Sequence, residues 1–546
     1  MAAQQDIPVL VVGGSLVGLT MSVLLAERGV RHALIERHHG TAIHPRAASF
    51  HQRTMEIFRS VGLQQAVEAA AAREFVQNGA IIAVDSLAGK ELACFYRSFN
   101  DGVQGLSPTA RLFVTQIGLE PVLRKRALEL GAEHHYATDM SSFEQDKTGV
   151  TATLRSRGGA TEDTIRAKYL VAADGAHSVV RRQLEIGMAG RGHFADCATI
   201  YFKADLRALI GERNLSVVYV NQPGLLAFFR FSIAGDAGFL AVFATFQKDG
   251  TRNSLAGHEL SPARCAELVR AALGVAADFP VEIDDVQPWK GGAATATAFS
   301  TGRIFLVGDA AHIMPPTGGF GGNTGIGDAH NLAWKLGMVL DAVAGPQLLD
   351  SYDAERRPQC EMIVEQAYAR YLKRVDPSLP SANVAPLLAD ASIELGALYR
   401  SKAIIEDALA SEAAPIVEDP HQPSGRPGTR IAHVPLWRGG VAVSTHDLCG
   451  HDFVLIAGAA GGAWVDVAKE LTAAFPLKAY RVGPDADPAE GCLVDPENRF
   501  EASTGIGAAG ALLLRPDGVI GWRSAGAQAN ARHLLLDAMK QLTFRA

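Results

Sequence analysis

The chain opens on an apolar run, IPVLVV at 7–12, that stops at two glycines. Residues 16–29 then carry Leu, Val, Met and Ala at helical spacing, and HALIER follows as a second short apolar run. Run, tight turn, periodic segment and run predict a strand–helix–strand unit at the start of the chain. Gly29 is the expected helix stop, because glycine takes the left-handed conformation without strain. AIIAVDSLAGKELACFY predicts two strands about a glycine turn, and LEPVLRKRALELG predicts a helix closed by glycine. Residues 148–154 and 163–173 read as strands, the second ending in YLVAADG. From 184 to 286 the alternating, aromatic-rich segments ATIYFKADL, SVVYV, LLAFFRF and FLAVFATF predict a largely antiparallel sheet. RIFLVGD predicts a further strand, 324–343 a long helix, and 351–412 a helical stretch.

EDPHQPSGRPGTR, rich in Pro and Gly, reads as a linker. Beyond it FVLIAG, a helix at 464–474, KAYRV and GALLLRPDGVIGW make a separate α/β pattern with a PDG hairpin turn. The expected fold class is thus α/β and α+β. A discontinuous first domain comprises 1–72, 105–183 and 287–412, and an inserted sheet domain comprises 73–104 and 184–286. The linker covers 413–429 and a last domain 430–546. A length of 546 residues agrees with about three domains.

Composition narrows the function classes. The 48% hydrophobic and 20% charged residues are those of a globular protein. A formal net charge of -7 argues against nucleic acid or an anionic membrane as partner. Six scattered cysteines with no CxxC pair argue against disulfides and structural zinc, so no metal is expected and reduced thiols in the cytoplasm fit. MAAQQDIPVL lacks the basic and apolar regions of a signal peptide. The apolar stretch 225–246 is broken by Arg230 and Asp236 and reads as strands, not as a membrane span.

Three motifs carry chemistry. Gly13-Gly14-Ser15-Leu16-Val17-Gly18 lies between the first strand and its helix. A turn there sets backbone N–H groups and the positive helix end against a pyrophosphate. Ser15 replaces the middle glycine of the usual pattern; it is small, and its hydroxyl could itself meet a phosphate. Glu36, at the end of the second strand, has the spacing of a carboxylate that accepts from a ribose diol. The bland alternatives are a plain tight turn and a surface Glu beside Arg37. The second motif, Asp174-Gly175-Ala176-His177-Ser178, ends another strand; a DG turn before a capped helix would look similar. The third is Gly308-Asp309-Ala310-Ala311-His312 followed by Pro315-Pro316-Thr317-Gly318-Gly319-Phe320-Gly321-Gly322-Asn323. Asp309 could bond the hydroxyls of a sugar-like chain. The glycines let backbone lie against a flat ring, at which the next helix points its positive end.

Together these strings resemble the single-component FAD-dependent aromatic hydroxylases typified by 4-hydroxybenzoate and phenol hydroxylases. The resemblance covers about 1–375 and is strongest at GDAAHIMPPTGGFGGNTGIGDAHNLAWKL; HPRAASFHQRTMEIFRSVGL and LLDSYDAERRP fit it too. The last domain resembles the thioredoxin-like domain of the phenol hydroxylase branch, which includes aromatic polyketide hydroxylases; without CxxC, a packing or dimer role is preferred there. The resemblance implies a Rossmann-like FAD-binding domain, bound FAD, NADPH or NADH as transient co-substrate, O2, and oxygen transfer from a flavin C4a-hydroperoxide to a small aromatic substrate. It leaves a homodimer open.

Residue by residue, the resemblance implies that Gly13, Ser15, Leu16, Val17 and Gly18 cradle the pyrophosphate. Glu36 would hold the adenosine ribose, with Arg37 near the adenine. Arg46 would lie by the pyrophosphate and the nicotinamide path. Gln116 would meet the flavin's polar chain and Asp309 its ribityl hydroxyls. Asp174 belongs to a string serving both FAD and NAD(P)H. Backbone at Gly322 and Asn323 would face the flavin N1/O2 edge, with Pro316, Gly318 and Gly321 in the same loop and Pro315 bordering the path of the moving flavin. Outside such motifs Arg46 would read as a surface ion-pair partner and Gln116 as a helix-cap residue. Phe202, Tyr219, Phe228, Phe229, Phe231 and Phe243 are candidate walls of the substrate pocket. Tyr219 could bond or help deprotonate a phenol and Arg374 could assist, although strand aromatics are more often core. Within this class a multi-ring polyketide substrate is favoured over a one-ring phenol, and a Baeyer–Villiger outcome stays open. Other classes remain: a flavoprotein oxidase or dehydrogenase, a flavin-dependent binding protein, and a non-enzymatic scaffold.

Overall fold

The computed structural model describes residues 5–43, 48–157, 162–244, 260–407, 416–484 and 492–545. Its first sheet runs Ile304–Leu306, Glu162–Ala172, Gln5–Val12, His32–Ile35, Glu133–His135, all parallel. Parallel strands are covered on both faces and become continuous apolar runs; Val9, Leu10 and Val11 are accordingly buried. Thr138–Gln145 and Val150–Ser156 add an antiparallel flap to Glu162–Ala172. The helix Leu16–Glu27 joins the first two strands of the chain and ends one residue before Arg28, with Gly29 in the left-handed region at φ 70.

The second sheet has eight strands: Ala80–Val84, Glu91–Tyr96, Met188–Lys203, Leu215–Gln222, Leu225–Phe231, Ala237–Phe243, Glu282–Ala296 and the short His312–Ile313. Its pairings are antiparallel save that of Leu215–Gln222 with Ala80–Val84. A helix, Pro262–Leu273, covers its back face. The helix expected at 324–343 spans Phe320–Leu340. It starts earlier because the chain turns at Gly318 and Gly319, both at positive φ, and Gly321 and Gly322 enter the first turn. Residues 408–412 of the expected helical stretch lie outside the described residues, and 351–407 is less helical than expected. Ser351–Arg374 and Asp390–Leu395 are α-helices, and Pro377, Pro380 and Pro386 fall in the irregular segment between them. Residues 413–415 of the expected linker lie outside the described residues; from 416 on the segment forms bridges Ala397 to Val417 and Leu398 to Thr429.

The third sheet is thioredoxin-like. Phe453–Ala457, Leu477–Gly483 and Cys492–Val494 are parallel neighbours, and Ala511–Leu514 with Ile520–Ser524 forms the antiparallel side. It docks on the first domain through buried charge. Arg515, from the turn of that hairpin, donates to both oxygens of Glu355 at 2.6 and 2.9 Å, and Lys335 Nζ reaches the same carboxylate at 2.9 Å. All three side chains are fully buried. No helix among the described residues is long and apolar enough to cross a membrane.

Candidate active site

The dinucleotide turn is built where glycine is the only residue that fits. A Cβ on Gly18 would lie 1.8 Å from the Gly13 carbonyl oxygen, and one on Gly13 2.3 Å from that of Ala173. A Cβ on Gly14 would lie 2.7 Å from the Glu36 Cβ. The turn therefore presses against two strand ends at once. Glu36 is fixed by two backbone donors, Gly14 N at 2.6 Å and His38 N at 2.8 Å. Arg37 beside it is exposed. Ser15 caps the helix Leu16–Glu27, but its hydroxyl donates away from the helix, to Glu120 Oε1 at 2.6 Å. Gln116 Nε2 reaches both Ser15 Oγ, at 3.3 Å, and Glu120, at 3.1 Å. Glu120 also accepts from Ala42 N at 2.6 Å. Burial raises its carboxyl above the ordinary range, against the pull of these donors. Glu120 was not among the expected site residues; its signal was its place one helical turn after Gln116. Arg46 lies outside the described residues.

Val17 ties this turn to the glycine-rich loop. A Cβ on Gly325 would sit 2.6 Å from Val17 Cγ2, and one on Gly308 3.0 Å from it. Leu16 is buried under the same helix end. Asp309 follows Gly308 in a one-turn 3-10 helix and is exposed. Asp174 accepts from Val180 N through Oδ2, and its buried Oδ1 has no partner among the described residues. Arg181 joins the two loops, donating to Ala176 O at 3.0 Å and Ala310 O at 2.7 Å. Pro315 is buried and Pro316 exposed. Asn323 works as a staple: its side chain accepts from His51 N and Thr54 Oγ1 and donates to the Ser49 and Gly319 carbonyls. That leaves the Asn323 side chain engaged with protein and only its backbone, like that of Gly322, at the start of the helix. Gly319 packs where a Cβ would meet Ser49 Oγ at 2.0 Å, while Gly321 has no such neighbour.

Beneath the loop, Asp328 locks the frame. Its Oδ2 accepts from Gly308 N at 3.0 Å and meets His312 Nε2 at 2.7 Å; its Oδ1 accepts from Arg356 Nε at 2.8 Å. Burial opposes a charge on His312, yet Cys360 and Asp328 outweigh it and hold the imidazole well above its usual range. His312, Asp328 and Cys360 are close enough to share a cation, but Asp328 is already saturated by donors from three segments.

The aromatic candidates divide between the two faces of the second sheet, as the two-residue period of strands requires. Tyr219, Phe228 and Phe243 face the helix Ser351–Arg374. Phe202, Phe229 and Phe231 point the other way, into the core under Pro262–Leu273, and are not pocket walls. On the front face Phe243 lies 5.5 Å from Tyr371 and 6.1 Å from Trp289, and Phe95 lies 5.8 Å from Tyr219. Met314, next to Pro315, packs on this cluster, so it reaches the glycine-rich loop. Phe95, Phe194, Trp289 and Tyr371 were not anticipated. Arg374 stacks over Phe95 at 5.0 Å and stands 4.0 Å from Asp390, which Arg370 and Tyr96 also hold.

The geometry fits FAD: a glycine turn flush with a helix N-terminus, a carboxylate at the second strand end, an orphaned Asp174 oxygen and a glycine loop opening a second helix. Comparison with known proteins agrees. The FAD binding domain family matches residues 6–367, and the family described as aromatic-ring hydroxylase, C-terminal matches 424–544. The chain is 46% identical to a 4-methyl-5-nitrocatechol 5-monooxygenase of Burkholderia sp, over 99% of this chain and 98% of the relative. It is 36% identical to the tetracenomycin A2 monooxygenase-dioxygenase of Streptomyces glaucescens, over 99% and 97% of the two chains. The crystal structure of a ternary complex of aklavinone-11 hydroxylase with FAD and aklavinone superposes with a TM-score of 0.91 at 35% identity, covering 100% of both chains. The chain belongs to the FAD-dependent aromatic-ring hydroxylases and is a flavoprotein monooxygenase.

Proposed function

We propose that the protein uses NADPH or NADH and O2 to hydroxylate a phenolic ring held between the front face of the second sheet and the glycine-rich loop. The observation that carries this reading is the continuous aromatic cluster from Tyr219 through Phe243 and Tyr371 to Met314. It brings an apolar, ring-lined face to the loop at which the flavin would sit. Bound FAD supplies the redox chemistry, taking hydride from the nicotinamide and activating oxygen. The chain's residues do the rest. Gly13, Ser15, Leu16, Val17 and Gly18 would receive the pyrophosphate, Glu36 and Arg37 the adenosine end, and Gln116 and Asp309 the polar chain. Backbone N–H groups from Gly321 to Asn323 would favour negative charge on the reduced ring. Tyr219 would hold the phenol oxygen, with Arg374 nearby through Phe95. The buried Pro315 and the aromatic walls exclude water from the reacting atoms.

The relatives set the test panel: one-ring catechols such as 4-methyl-5-nitrocatechol, and polycyclic phenols such as aklavinone. The protein should be yellow. A phenol of one group should stimulate NADPH or NADH oxidation and yield an oxygenated product, heavier by one oxygen where a ring hydrogen is replaced and accompanied by released nitrite where a nitro group is replaced. Flavin binding without any such stimulation by either group would sink the monooxygenase reaction proposed here.

A further inference from the structure

Arg230 is a buried charge of the second sheet. It shares the front face of the strand Leu225–Phe231 with Phe228, two residues before it, and only 5% of it is exposed. Its guanidinium is sandwiched between the rings of Phe75, at 4.1 Å, and Phe113, at 4.4 Å. Nε and Nη2 have no hydrogen-bond partner among the described residues. The carboxylate whose field reaches it, Glu74, is already taken by Thr115 N at 2.6 Å and Thr115 Oγ1 at 3.0 Å. Burial pulls the guanidinium down to about 9, with Glu74 the one counterweight. Leaving a buried charge and its donors unpaired is costly.

The same residue lines a cavity of about 320 Å³. Its walls include Phe75, Phe231, Ile210 and Ile233, and Ser216 adds a buried hydroxyl that also lacks a partner among the described residues. The lining carries three arginines, Arg207, Arg213 and Arg230, against one acid, Glu212. Phe75 and Phe113 separate it from the front-face cluster to which they also belong, and Tyr219, Phe228, Phe243, Tyr371 and the glycine-rich loop lie outside its lining. A cavity of this size suits a small organic ligand. A ring-held guanidinium edge is the complement of a planar carboxylate, which takes two parallel N–H donors at once.

We propose that this cavity is a binding site for a small aromatic carboxylate, separate from the flavin groove, with Arg230 receiving the carboxylate and the apolar walls receiving the ring.

The test uses oxidised, FAD-loaded enzyme without nicotinamide or phenol, so it does not depend on the proposed reaction. Benzoate is titrated by calorimetry, with benzamide as its neutral isostere. One benzoate should bind per chain, benzamide at least about 10-fold more weakly, and Arg230→Met should weaken benzoate by a similar factor, as expected for a lost charged hydrogen bond. Ala234→Trp, which fills the exposed mouth and leaves Arg230 in place, should abolish binding and keep the flavin spectrum of the parent. The proposal is overturned if benzoate shows no saturable binding to the parent, if benzamide binds as well, or if Ala234→Trp leaves the affinity unchanged. The last two readings stand even if Arg230→Met does not fold.

Discussion

Arg515 donates two parallel hydrogen bonds to Glu355 across the boundary between the thioredoxin-like domain and the flavin domain, and neither side chain touches solvent. Burial alone would push the Glu355 carboxyl up, but Arg515 and Lys335 hold it far below its usual range. Lys335 is itself pulled down to about 8, by burial. Arg515→Met therefore leaves the buried Glu355 carboxylate with Lys335, Asn331 and Ser401 as partners and takes the arginine away from Asp517 as well. Removing one member of such a pair costs about 3–5 kcal/mol. Chemical denaturation should show a loss of that size. The double variant Arg515→Met/Glu355→Leu should recover little of it, because Lys335 then loses its buried carboxylate and Asp517 its buried arginine.

Gly18 is a position where substitution should disturb the turn proposed to receive the pyrophosphate. A Cβ there would overlap the Gly13 carbonyl, and both atoms are backbone-anchored, so the turn must open. Gly18→Ala should purify with flavin affinity down at least about 10-fold, equivalent to ~1.4 kcal/mol. Far-ultraviolet circular dichroism should be little changed. Equilibrium dialysis against FAD reads the outcome; unchanged affinity would show that the turn does not carry the pyrophosphate.

What the sequence made legible follows from the range of the interactions involved. The first strand–helix–strand unit and the Gly13 to Gly18 turn are local, and the apolar runs and glycines announce them. The helix Pro262–Leu273 was just as local, with Ser261 capping, Pro262 in its first turn and Gly274 in the left-handed region, yet its signal was lost among the strands around it. The pocket walls were half legible. Alternation separates Phe228 from Phe229, but it does not say which face meets the flavin domain. Glu120 under Ser15, Trp289 against Phe243, and Arg515 on Glu355 join residues 105, 46 and 160 positions apart, counted from their numbers, and no periodicity reports such contacts.

Ser22 links two histidines in the nucleotide-binding half, accepting or donating at 2.7 Å to His32 and 2.8 Å to His134. Burial lowers both imidazoles, and His134 falls to about 4, with His32 next among the causes. The unfolded chain protonates this histidine near 6.5, so between about 6.5 and 4 it binds more protons than the folded one. Stability contributed here is present above 6.5 and lost as pH falls toward 4. His134 is half-buried, and solvent screening discounts the effect to on the order of 1–2 kcal/mol. His134→Gln should flatten the fall of the melting temperature between pH 6.5 and 4 relative to the parent. Parallel curves would show that this pair is not the acid-sensitive element.

Tyr219 and Phe95 meet edge to face, and Arg374 stacks on the far partner of that pair. If the phenolic oxygen of the substrate is held by Tyr219, removal of its hydroxyl should strike the transfer of oxygen and not the fold. Tyr219→Phe retains the ring packing against Phe228, so its flavin content and melting temperature should match the parent. Its kcat for product formation should fall by about 10²-fold, the lower end of what a positioned proton-transfer group contributes. Substrate-stimulated NADPH or NADH oxidation should fall less, with the difference appearing as hydrogen peroxide, because reduction of the flavin does not need the phenol's proton. Arg374→Met should show the same split between product and peroxide if it supports Tyr219. Equal loss of nicotinamide oxidation and product in both variants would assign the two residues to substrate binding alone.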